Sequence, residues 1–322
     1  TFRDHYIEVP FDLSQVLFIT TANSLDTVSR PLLDRMEIIE LSGYTSNEKF
    51  HIAKDYLVKK SMKNNGLDDN DLTISDDAIE AVIGYYTREA GVRKLEQQIG
   101  KICRKAVKKL LENTERPIEV TKQNLEEYLG KERFHFEKMN EQDEIGVARG
   151  LAWTSVGGDT LSIEVNVMPG SGKVELTGKL GDVMKESAMA AISYIRANSQ
   201  KLGIAENFHK TKDIHIHVPE GAVPKDGPSA GITMATAVVS ALTKNPVRND
   251  IAMTGEITLR GRVLPIGGLK EKSLAAFRAG ITDIIIPNEN KADIDDVPKE
   301  VRSKINFIPV KSMDTVLENA LR

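Results

Sequence analysis

The chain has 322 residues, of which 40% are hydrophobic and 28% are charged, and its formal net charge at pH 7 is −4. This is the composition of ordinary soluble protein, and so small a net charge provides no global field that would recruit nucleic acid. No apolar run approaches the roughly 20 residues that span a bilayer, and the single cysteine, Cys103, cannot form an internal disulfide, so we expect a cytoplasmic protein without a membrane partner.

The N-terminal segment, TFRDHYIEVPFDLS, lacks both an initiator methionine and the character of a signal peptide, and we expect the chain to be cut from a longer protein. Residues 16–22, VLFITTA, are apolar and rich in β-forming residues, which predicts a buried strand that ends at Asn23. A second strand is predicted at 36–41.

Residues 43–133 predict a small helical bundle with its own modest core. Thr45 and Glu48 have the spacing of a capping box, which marks the start of a helix. Apolar residues that recur with a period of 3.6 predict a longer helix further on, and a short strand is expected at 118–120. Residues 134–145 are polar and without a period, so we predict a linker there.

Residues 146–322 mix strands and helices. GDTLSIEVNV and DIHIHVP alternate apolar and polar residues, which predicts two half-buried strands, and PGSG predicts a turn that pairs KVELTG with the first of them as a hairpin. VLPIGG leads into a predicted helix at 269–279. Antiparallel hairpins among helices favour an α+β fold over a doubly wound sheet.

Ser229, in KDGPSAG, and Lys272, in GGLKEK, are the strongest candidates for chemistry. The context of Ser229 predicts a turn that delivers a hydroxyl to the start of a buried helix, whose N–H groups can hold a developing oxyanion and whose first turn Asp226 can cap. Serine needs a base near pH 7, and a lysine can serve where burial lowers its pKa. If the two residues meet in space, they predict acyl transfer without histidine, which favours a peptidase.

Structural interpretations compete with these. A serine in a Gly-Pro turn usually shapes the turn, and most lysines are solvated. His215 and His217 alternate on a predicted strand and are more often polar surface than catalytic or metal-binding, and no further Cys/His cluster completes a zinc site, so no metal is expected. PGSGK at 169–173 imitates a phosphate loop, but Val167 and Val174 stand where the full motif requires Gly and Ser or Thr.

Basic residues line one side of the predicted long helix: Lys101, Arg104, Lys105, Lys108 and Lys109. A solvated helix face is the favoured interpretation of this pattern, and weak DNA binding is the minority one.

The runs DIHIHVPEGAVPKDGPSAGIT, MTGEITLRGRVLPIGGLKEK and VGGDTLSIEV resemble the proteolytic domain of the Lon family of ATP-dependent proteases. The resemblance implies the α+β Lon protease fold over residues 146–322, with Ser229 as the nucleophile and Lys272 as the general base. Thr254, in MTGE, matches a position that steers the lysine amine, and Asp226 is implied to help set the loop that opens or blocks the site.

Upstream, RPLLDRMEIIELSGYT and YYTREAGVRKLE resemble the end of an AAA+ ATPase module. This implies a remnant of the AAA+ α/β subdomain at 1–42 and the helical small subdomain at 43–133. Asn23 is implied to be the sensor-1 residue, Arg35 the arginine finger offered to a neighbouring subunit, and Arg93 the sensor-2 residue.

The chain departs from the family in having no Walker A motif, G-x4-G-K-[ST], and no Walker B acidic pair at a strand end. ATP and magnesium are therefore expected with the full-length protein, and none is expected bound to this piece. We expect it to cleave small unstructured peptides at best, without ATP.

The leading interpretation is an ATP-dependent serine endopeptidase that degrades misfolded, damaged and short-lived regulatory proteins as a homohexameric ring. A non-catalytic AAA+ lid joined to a scaffold module is the alternative. A small-molecule amidase or esterase that uses the same two residues is a third interpretation.

Overall fold

The computed structural model describes residues 2–3, 5–22, 25, 28–39, 43–112, 116–134, 142–154, 157–219 and 225–322. The chain forms two compact units, Thr1–Ser42 and Gly43–Arg322. Within the second unit, residues 43–134 form mainly helices and are called the helical region here. Residues 142–322 contain the large sheet and are called the sheet region, and they carry both Ser229 and Lys272.

The first unit has little regular structure. Its elements are β1 (Phe2–Arg3), β2 (Pro10–Phe11), which pairs with β1 in antiparallel fashion, and α1 (Arg30–Leu33). The strand predicted at 16–22 is wrong, because these residues form no regular element and the side chains of Leu17 and Ile19 are 84% and 86% exposed. The described part of the second predicted strand, 36–39, is not a strand either. An apolar run becomes a stable strand only where other strands pair with it and bury it, and no described residue of this unit does so.

The helical region begins with the predicted capping box. Thr45 Oγ1 accepts a hydrogen bond of 3.0 Å from the Glu48 N–H, and the Glu48 carboxylate accepts one of 2.8 Å from the Thr45 N–H. The elements of the region are α2 (Ser46–Ile52), a π-helical turn (Ala53–Leu57), α3 (Val58–Asn64), β3 (Leu72–Ile74), α4 (Asp76–Ala81), a second π-helical turn (Val82–Tyr86), α5 (Arg93–Leu111), β4 (Ile118–Val120), a 3-10 turn (Lys122–Asn124) and α6 (Leu125–Leu129). The predicted strand at 118–120 is confirmed, and it pairs in parallel with β3.

The apolar face of α5 supplies much of the core of the helical region. Leu95, Ile99 and Ile102 are each no more than 1% exposed and pack with Tyr128 of α6. The apolar residues that recur every 3.6 positions in the sequence therefore form the face of α5 that packs against its neighbours.

The sheet region alternates strands and helices along the chain. Its elements are β5 (Val147–Thr154), β6 (Gly157–Pro169), β7 (Val174–Thr177), α7 (Asp182–Ala197), α8 (Phe208–Thr211), β8 (Lys212–His217), a 3-10 turn (Pro228–Ala230), α9 (Gly231–Thr243), β9 (Ile251–Met253), β10 (Glu256–Ile257), β11 (Val263–Leu264), α10 (Leu269–Ala279), β12 (Asp283–Pro287), a 3-10 segment (Asn288–Asp296), α11 (Lys299–Arg302), β13 (Asn306–Val310) and α12 (Met313–Ala320).

Seven strands form one mixed sheet with the order β13-β12-β9-β5-β6-β8-β7. The pairs β5–β6 and β6–β8 are antiparallel, whereas β12 pairs in parallel with β9 and β13, and β7 in parallel with β8. The sheet contains both parallel and antiparallel strand pairs, and helices alternate with its strands along the chain. The fold class is therefore α+β, as predicted.

The hairpin predicted between GDTLSIEVNV and KVELTG is wrong, because β8 lies between β6 and β7. The reason lies in the PGSG connection. Asp213, at the start of β8, accepts hydrogen bonds from the main-chain N–H groups of Ser171, Gly172 and Lys173, which fixes the connection to β8 rather than folding it back on β6.

Helices cover both faces of the sheet. Ile163 and Ile216 belong to the core on the side of α7, α9 and α12, whereas Leu151 and Ile284 belong to the core on the side of α10 and α11. Nearly every residue of α9 is buried. Because α9 and α10 each begin beside the sheet, the side chains at their starts are held by a packed core.

Candidate active site

Ser229 is the middle residue of the 3-10 turn that leads into α9. Gly227, directly before the turn, has a φ of +123°, a conformation that residues with a Cβ rarely adopt. Ser187 Oγ donates a hydrogen bond of 3.2 Å to Pro228 O, and the Gly255 N–H donates one of 2.8 Å to Ser229 O. The half-buried serine is therefore fixed from two sides, by α7 and by the residue that connects β9 with β10.

Lys272 lies near the start of α10 and is 3% exposed. Burial lowers the pKa of Lys272 from its ordinary 10.5 to about 8, and the carboxylate of Glu271 opposes this lowering. About a tenth of the amine is therefore neutral at pH 7, against less than about one part in a thousand for a solvated lysine. The environment that a lysine base requires is present at this position.

Thr254 links the lysine to the main chain of the serine. Its fully buried hydroxyl accepts a hydrogen bond of 3.2 Å from Lys272 Nζ and donates one of 3.5 Å to Ser229 O. The fold thus brings Ser229, Thr254 and Lys272 together at one place. Among the described residues, Thr254 is the hydrogen-bond partner of Lys272 Nζ, and no hydrogen bond joins that nitrogen to Ser229 Oγ.

Asp226 caps α7 and not the helix that follows Ser229, so the expected cap was wrong. Asp226 Oδ1 accepts hydrogen bonds from the Met184 N–H at 3.0 Å and from the Gly227 N–H at 2.9 Å. Gly181, the N-cap residue of α7, has no side chain with which to cap the helix, and a Cβ there would lie 2.3 Å from the Asp226 carboxyl carbon. The carboxylate therefore turns to α7, and it ties the segment before Ser229 to that helix.

His215 and His217 lie on the face of β8 opposite to α9, since Ile216 between them faces the core that α9 shares. Thr177 Oγ1 is hydrogen bonded to His215 Nε2 at 2.8 Å and to His217 Nδ1 at 2.6 Å. One hydroxyl supplies one proton, so at least one of these ring nitrogens donates to it. With Arg149, the two rings line a groove of about 820 Å³ on this face. Among the described residues, no hydrogen bond joins either histidine to Lys272, whose Nζ bonds to Thr254.

The PGSGK loop binds a carboxylate of the chain itself. Asp213 Oδ1 accepts hydrogen bonds of 2.8, 2.9 and 2.8 Å from the N–H groups of Ser171, Gly172 and Lys173. Such a run of amides is what a phosphate would require, and here the internal anion already uses it. This geometry agrees with the rejection of a phosphate loop.

Three lysines of the basic face of α5 bond to α6. Lys101 Nζ donates to Leu129 O at 3.3 Å, Lys105 Nζ donates to Glu127 O at 2.9 Å, and Lys109 Nζ pairs with the Glu127 carboxylate at 2.6 Å. Cations at a helix C-terminus compensate its exposed carbonyls. These side chains therefore have a structural use within the helical region.

The implied nucleotide-sensing residues belong to different parts of the chain. Arg35 is exposed after α1 in the first unit, and Arg93 is exposed at the first position of α5 in the second. Asn23 lies outside the described residues, as does most of the predicted linker at 134–145, namely 135–141.

Two residues that shape the site were not singled out from the sequence. Ser187 is a polar residue on the buried face of α7, three positions after Met184, and that pattern could have indicated a buried hydrogen bond. The main chain of Gly158, at the start of β6, contacts the main chain of α10 beside Lys272. A glycine inside a strand pattern is a signal of such close backbone approach.

No group of three or more His, Cys, Asp or Glu side chains in the described ranges could hold a metal ion. In the same part of the chain, no helix combines the length and the apolar character that crossing a membrane requires.

Two family models match the chain: the Lon protease (S16) C-terminal proteolytic domain over residues 119–322 and the Lon protease AAA+ ATPase lid domain over residues 63–118. Similar curated relatives are the Lon protease of Clostridioides difficile, 60% identical over 321 residues, Lon protease 1 of Bacillus subtilis, 59% identical, and the Lon protease of Heliobacterium modesticaldum, 58% identical. These matches cover 99–100% of this chain and 40–42% of the relatives, so the chain spans about two-fifths of their length. A proteolytic-domain model that matches more than half of the chain, together with relatives that match it throughout, shows that the chain belongs to the Lon protease family.

Proposed function

We propose that the sheet region is a serine endopeptidase in which Ser229 is the nucleophile and Lys272 is the general base. The observation that carries the proposal is the buried Lys272 amine, hydrogen bonded to the same Thr254 hydroxyl that contacts Ser229 O. Burial of a lysine ammonium destabilises a fold, so the presence of Lys272 beside a serine turn at a helix start supports a chemical use.

In this mechanism, neutral Lys272 Nζ takes the proton of Ser229 Oγ as that oxygen attacks the carbonyl carbon of the scissile bond. The resulting ammonium then gives the proton to the leaving amine as the C–N bond breaks, and an acyl ester on Ser229 remains. Water, deprotonated by the same lysine, hydrolyses the ester and regenerates the hydroxyl. Proton transfer requires Oγ and Nζ to come within about 3 Å, a contact that often tightens only when substrate binds.

The oxyanion of the tetrahedral intermediate is assigned to a main-chain N–H group at the serine turn. The Gly231 N–H already donates to Pro228 O, and the Ile232 N–H donates to Gly255 O at 3.2 Å. We therefore assign the role to the amide of Ser229, which precedes them at the entrance of α9.

Thr254 holds the base in this scheme. When Nζ donates a proton to Thr254 Oγ1, its lone pair is free to accept the proton of Ser229. The hydroxyl of Thr254 is fixed in turn by its bond to Ser229 O, so the three groups orient one another.

ATP and magnesium are proposed for the whole protein rather than for this chain. The sequence has no G-x4-G-K-[ST] loop, and the similar PGSGK run binds Asp213. The residues present do not form a phosphate-binding loop, and no step of the peptidase mechanism uses the nucleotide. Arg35 and Arg93 are exposed guanidiniums, and we propose them as the arginine finger and the sensor-2 residue, with Asn23 as sensor 1.

For the whole protein, we propose unfolded and damaged polypeptides as substrates and a homohexameric ring as the assembly, because an arginine finger acts on the nucleotide of a neighbouring subunit. A reducing compartment, the cytoplasm, is supported by Cys103, which is a buried free thiol.

The test uses the 322-residue chain with a denatured protein and a fluorogenic peptide as substrates. We expect cleavage of the fluorogenic peptide, and loss of that cleavage in Ser229→Ala and in Lys272→Met. Ser193→Ala is the matched control, since Ser193 lies on the exposed side of α7 and, among the described residues, its hydroxyl bonds to Met189 O at 2.8 Å. Full activity in either dyad variant contradicts the mechanism, and hydrolysis of small esters without cleavage of either the peptide or the denatured protein would identify the amidase or esterase alternative.

A further inference from the structure

The start of β6 contacts the helix that carries Lys272. A Cβ at Gly158 would lie 1.8 Å from Glu271 O and 3.0 Å from Lys272 N, so main chain lies directly against main chain there. Any movement of Gly158 must therefore move α10 or open a gap beside Lys272.

A second bond joins the same two elements. Arg278, six positions after Lys272 on α10, donates a hydrogen bond of 2.9 Å from Nη2 to Gly158 O. Gly158 is thus held to α10 at two points, by its own close packing and by this guanidinium.

The helical region binds the next residue of β6. Arg88 Nη2 pairs with the carboxylate of Asp159, and the two side chains are 36% and 26% exposed. A partly buried ion pair is screened by solvent and salt less than a fully exposed one. Arg88 is therefore a contact through which the helical region acts on the residue adjacent to Gly158.

Positive charge is in excess around this contact. Lys49 of the helical region is buried and donates to Glu89 O, and burial lowers the pKa of Lys49, which the Glu89 carboxylate opposes and the nearby charge of Arg278 reinforces. The cluster thus holds the cations Lys49, Arg88 and Arg278 together with the carboxylates of Glu89 and Asp159, and Asp159, on β6 of the sheet region, pairs with Arg88 of the helical region. Loss of that carboxylate leaves cations facing one another.

We propose that Arg88 and Asp159 are positioning residues for Lys272. Their ion pair holds the start of β6 in contact with α10. The position of the helical region thereby determines how well the Lys272 amine is kept away from water and hydrogen bonded to Thr254. The inference rests on the proposed function of Lys272 as the base. It makes the peptidase site responsive to the part of the chain that matches the ATPase lid.

The expected consequence of breaking the pair has a direction. If Gly158 moves away from α10, water reaches Lys272 and the cost of its charged form falls, so that its pKa rises from about 8 towards 10.5. Glu271 is the charged group that acts on Lys272 directly, and it already favours the ammonium. Arg88, Asp159 and Arg278 act through the main chain of Gly158.

The experiment measures kcat and KM for a fluorogenic peptide from pH 6 to pH 10 with the 322-residue chain and its variants Arg88→Ala and Asp159→Asn. We expect the limb on which kcat rises with pH to move to higher pH in both variants, with kcat at pH 7.5 reduced by about tenfold and KM little changed. The double variant should be no worse than the more severe single one, because both remove the same contact. Arg88→Lys, which keeps the charge, should restore most of the activity.

Arg302→Ala is the matched control, since it removes an Arg–Asp pair of 3.0 Å with Asp295 elsewhere in the sheet region. An unchanged pH profile in both Arg88→Ala and Asp159→Asn overturns the inference, as does a change in KM alone. Lys272→Met is measured beside them. If it retains activity, the proposed function fails, whereas an inactive Lys272→Met beside an unaltered Arg88→Ala sinks only the positioning role.

Discussion

Lys272 Nζ donates a hydrogen bond of 3.2 Å to Thr254 Oγ1, in a place where both side chains are withdrawn from water. The hydroxyl is the point through which the lysine is connected to Ser229, because it also contacts Ser229 O at 3.5 Å. The hydroxyl of Thr254 therefore contacts both the lysine amine and the main chain of the serine turn.

Thr254→Val keeps the shape of the side chain and removes the hydroxyl. We expect kcat to fall by about 10- to 100-fold with little change in KM, because the amine loses the acceptor that aims it at Ser229. The lost hydrogen bond should also reduce the free energy of unfolding by about 1–2 kcal/mol.

Thr236→Val is the control for Thr254→Val. Thr236 is also fully buried and its hydroxyl donates to a main-chain carbonyl, that of Ile232 at 2.8 Å, within α9. Its replacement should cost similar stability and leave the pH profile of cleavage unchanged. Equal losses of kcat in the two variants would show that Thr254 acts only through stability, and Thr254→Ser should retain most of the activity.

Lys272→Met should stabilise the fold at neutral pH while it abolishes cleavage. Because the folded pKa of Lys272 lies near 8 instead of 10.5, folding at pH 7 carries a penalty on the order of 3 kcal/mol for burying the ammonium. The penalty is fully present below pH 8 and fades between about pH 8 and pH 10.5, where the folded state has lost the proton and the unfolded state still binds it. Methionine removes the charge and nearly keeps the volume.

Denaturant unfolding of wild type and Lys272→Met at pH 7 and pH 10 measures this effect. The variant should be more stable at pH 7, and its advantage should shrink at pH 10. Lys272→Arg should be inactive and less stable than wild type at both pH values, since a guanidinium stays charged. A Lys272→Met protein that is less stable than wild type at pH 7 would show that the amine is not a burden to the fold.

Asp226→Ala tests the tie between α7 and the serine turn. The variant loses the acceptor for the Met184 N–H and the Gly227 N–H, which should reduce the free energy of unfolding by about 1 kcal/mol, as for loss of a helix N-cap. The turn before Ser229 should become less ordered, so kcat should fall, while the rise of kcat with pH, which the proposed base Lys272 sets, stays in place.

Asp226→Asn is the partner variant, because an amide oxygen can accept the same two hydrogen bonds. It should retain both stability and cleavage to within a few fold. If Asp226→Asn is as inactive as Asp226→Ala, the charge and not the hydrogen bonding is what the site requires.

Much of the sheet region was predictable from local patterns. The helix at 269–279 and the burial of the helix after Ser229 follow from apolar periodicity and from glycines at helix ends, which act over a few residues. The positions of Ser229 just before α9 and of Lys272 on α10 followed with them. Their encounter did not, because 43 positions of chain separate them and no periodicity encodes that contact.

The errors have one physical origin, which is pairing at a distance. Residues 16–22 have the composition of a buried strand, but no described neighbour in that unit pairs with them. PGSG has the composition of a hairpin turn, yet Asp213, about 40 residues later, binds its amides and brings β8 in between. Asp226 similarly caps α7, about 40 residues earlier in the chain, and not α9, which follows it directly. Sequence patterns report which backbone groups need partners and not which partners they obtain.

Asp213→Asn should destabilise the sheet region in a pH-dependent way. Three main-chain N–H groups, chiefly those of Lys173 and Ser171, hold the pKa of Asp213 below its ordinary 3.8. A carboxylate with a lowered folded pKa contributes stability that is fully present above about pH 4 and is lost as the pH falls through the folded pKa. Asparagine has no such charge, so wild type should exceed the variant in stability at pH 7, and the difference should close towards pH 2–3. Urea unfolding at the two pH values measures this difference in stability.

Asp314→Asn, which removes the exposed ion pair with Lys201, is the control and should change stability less. A constant difference between wild type and Asp213→Asn at both pH values would mean that loop geometry, and not the anion, is what the PGSGK amides require.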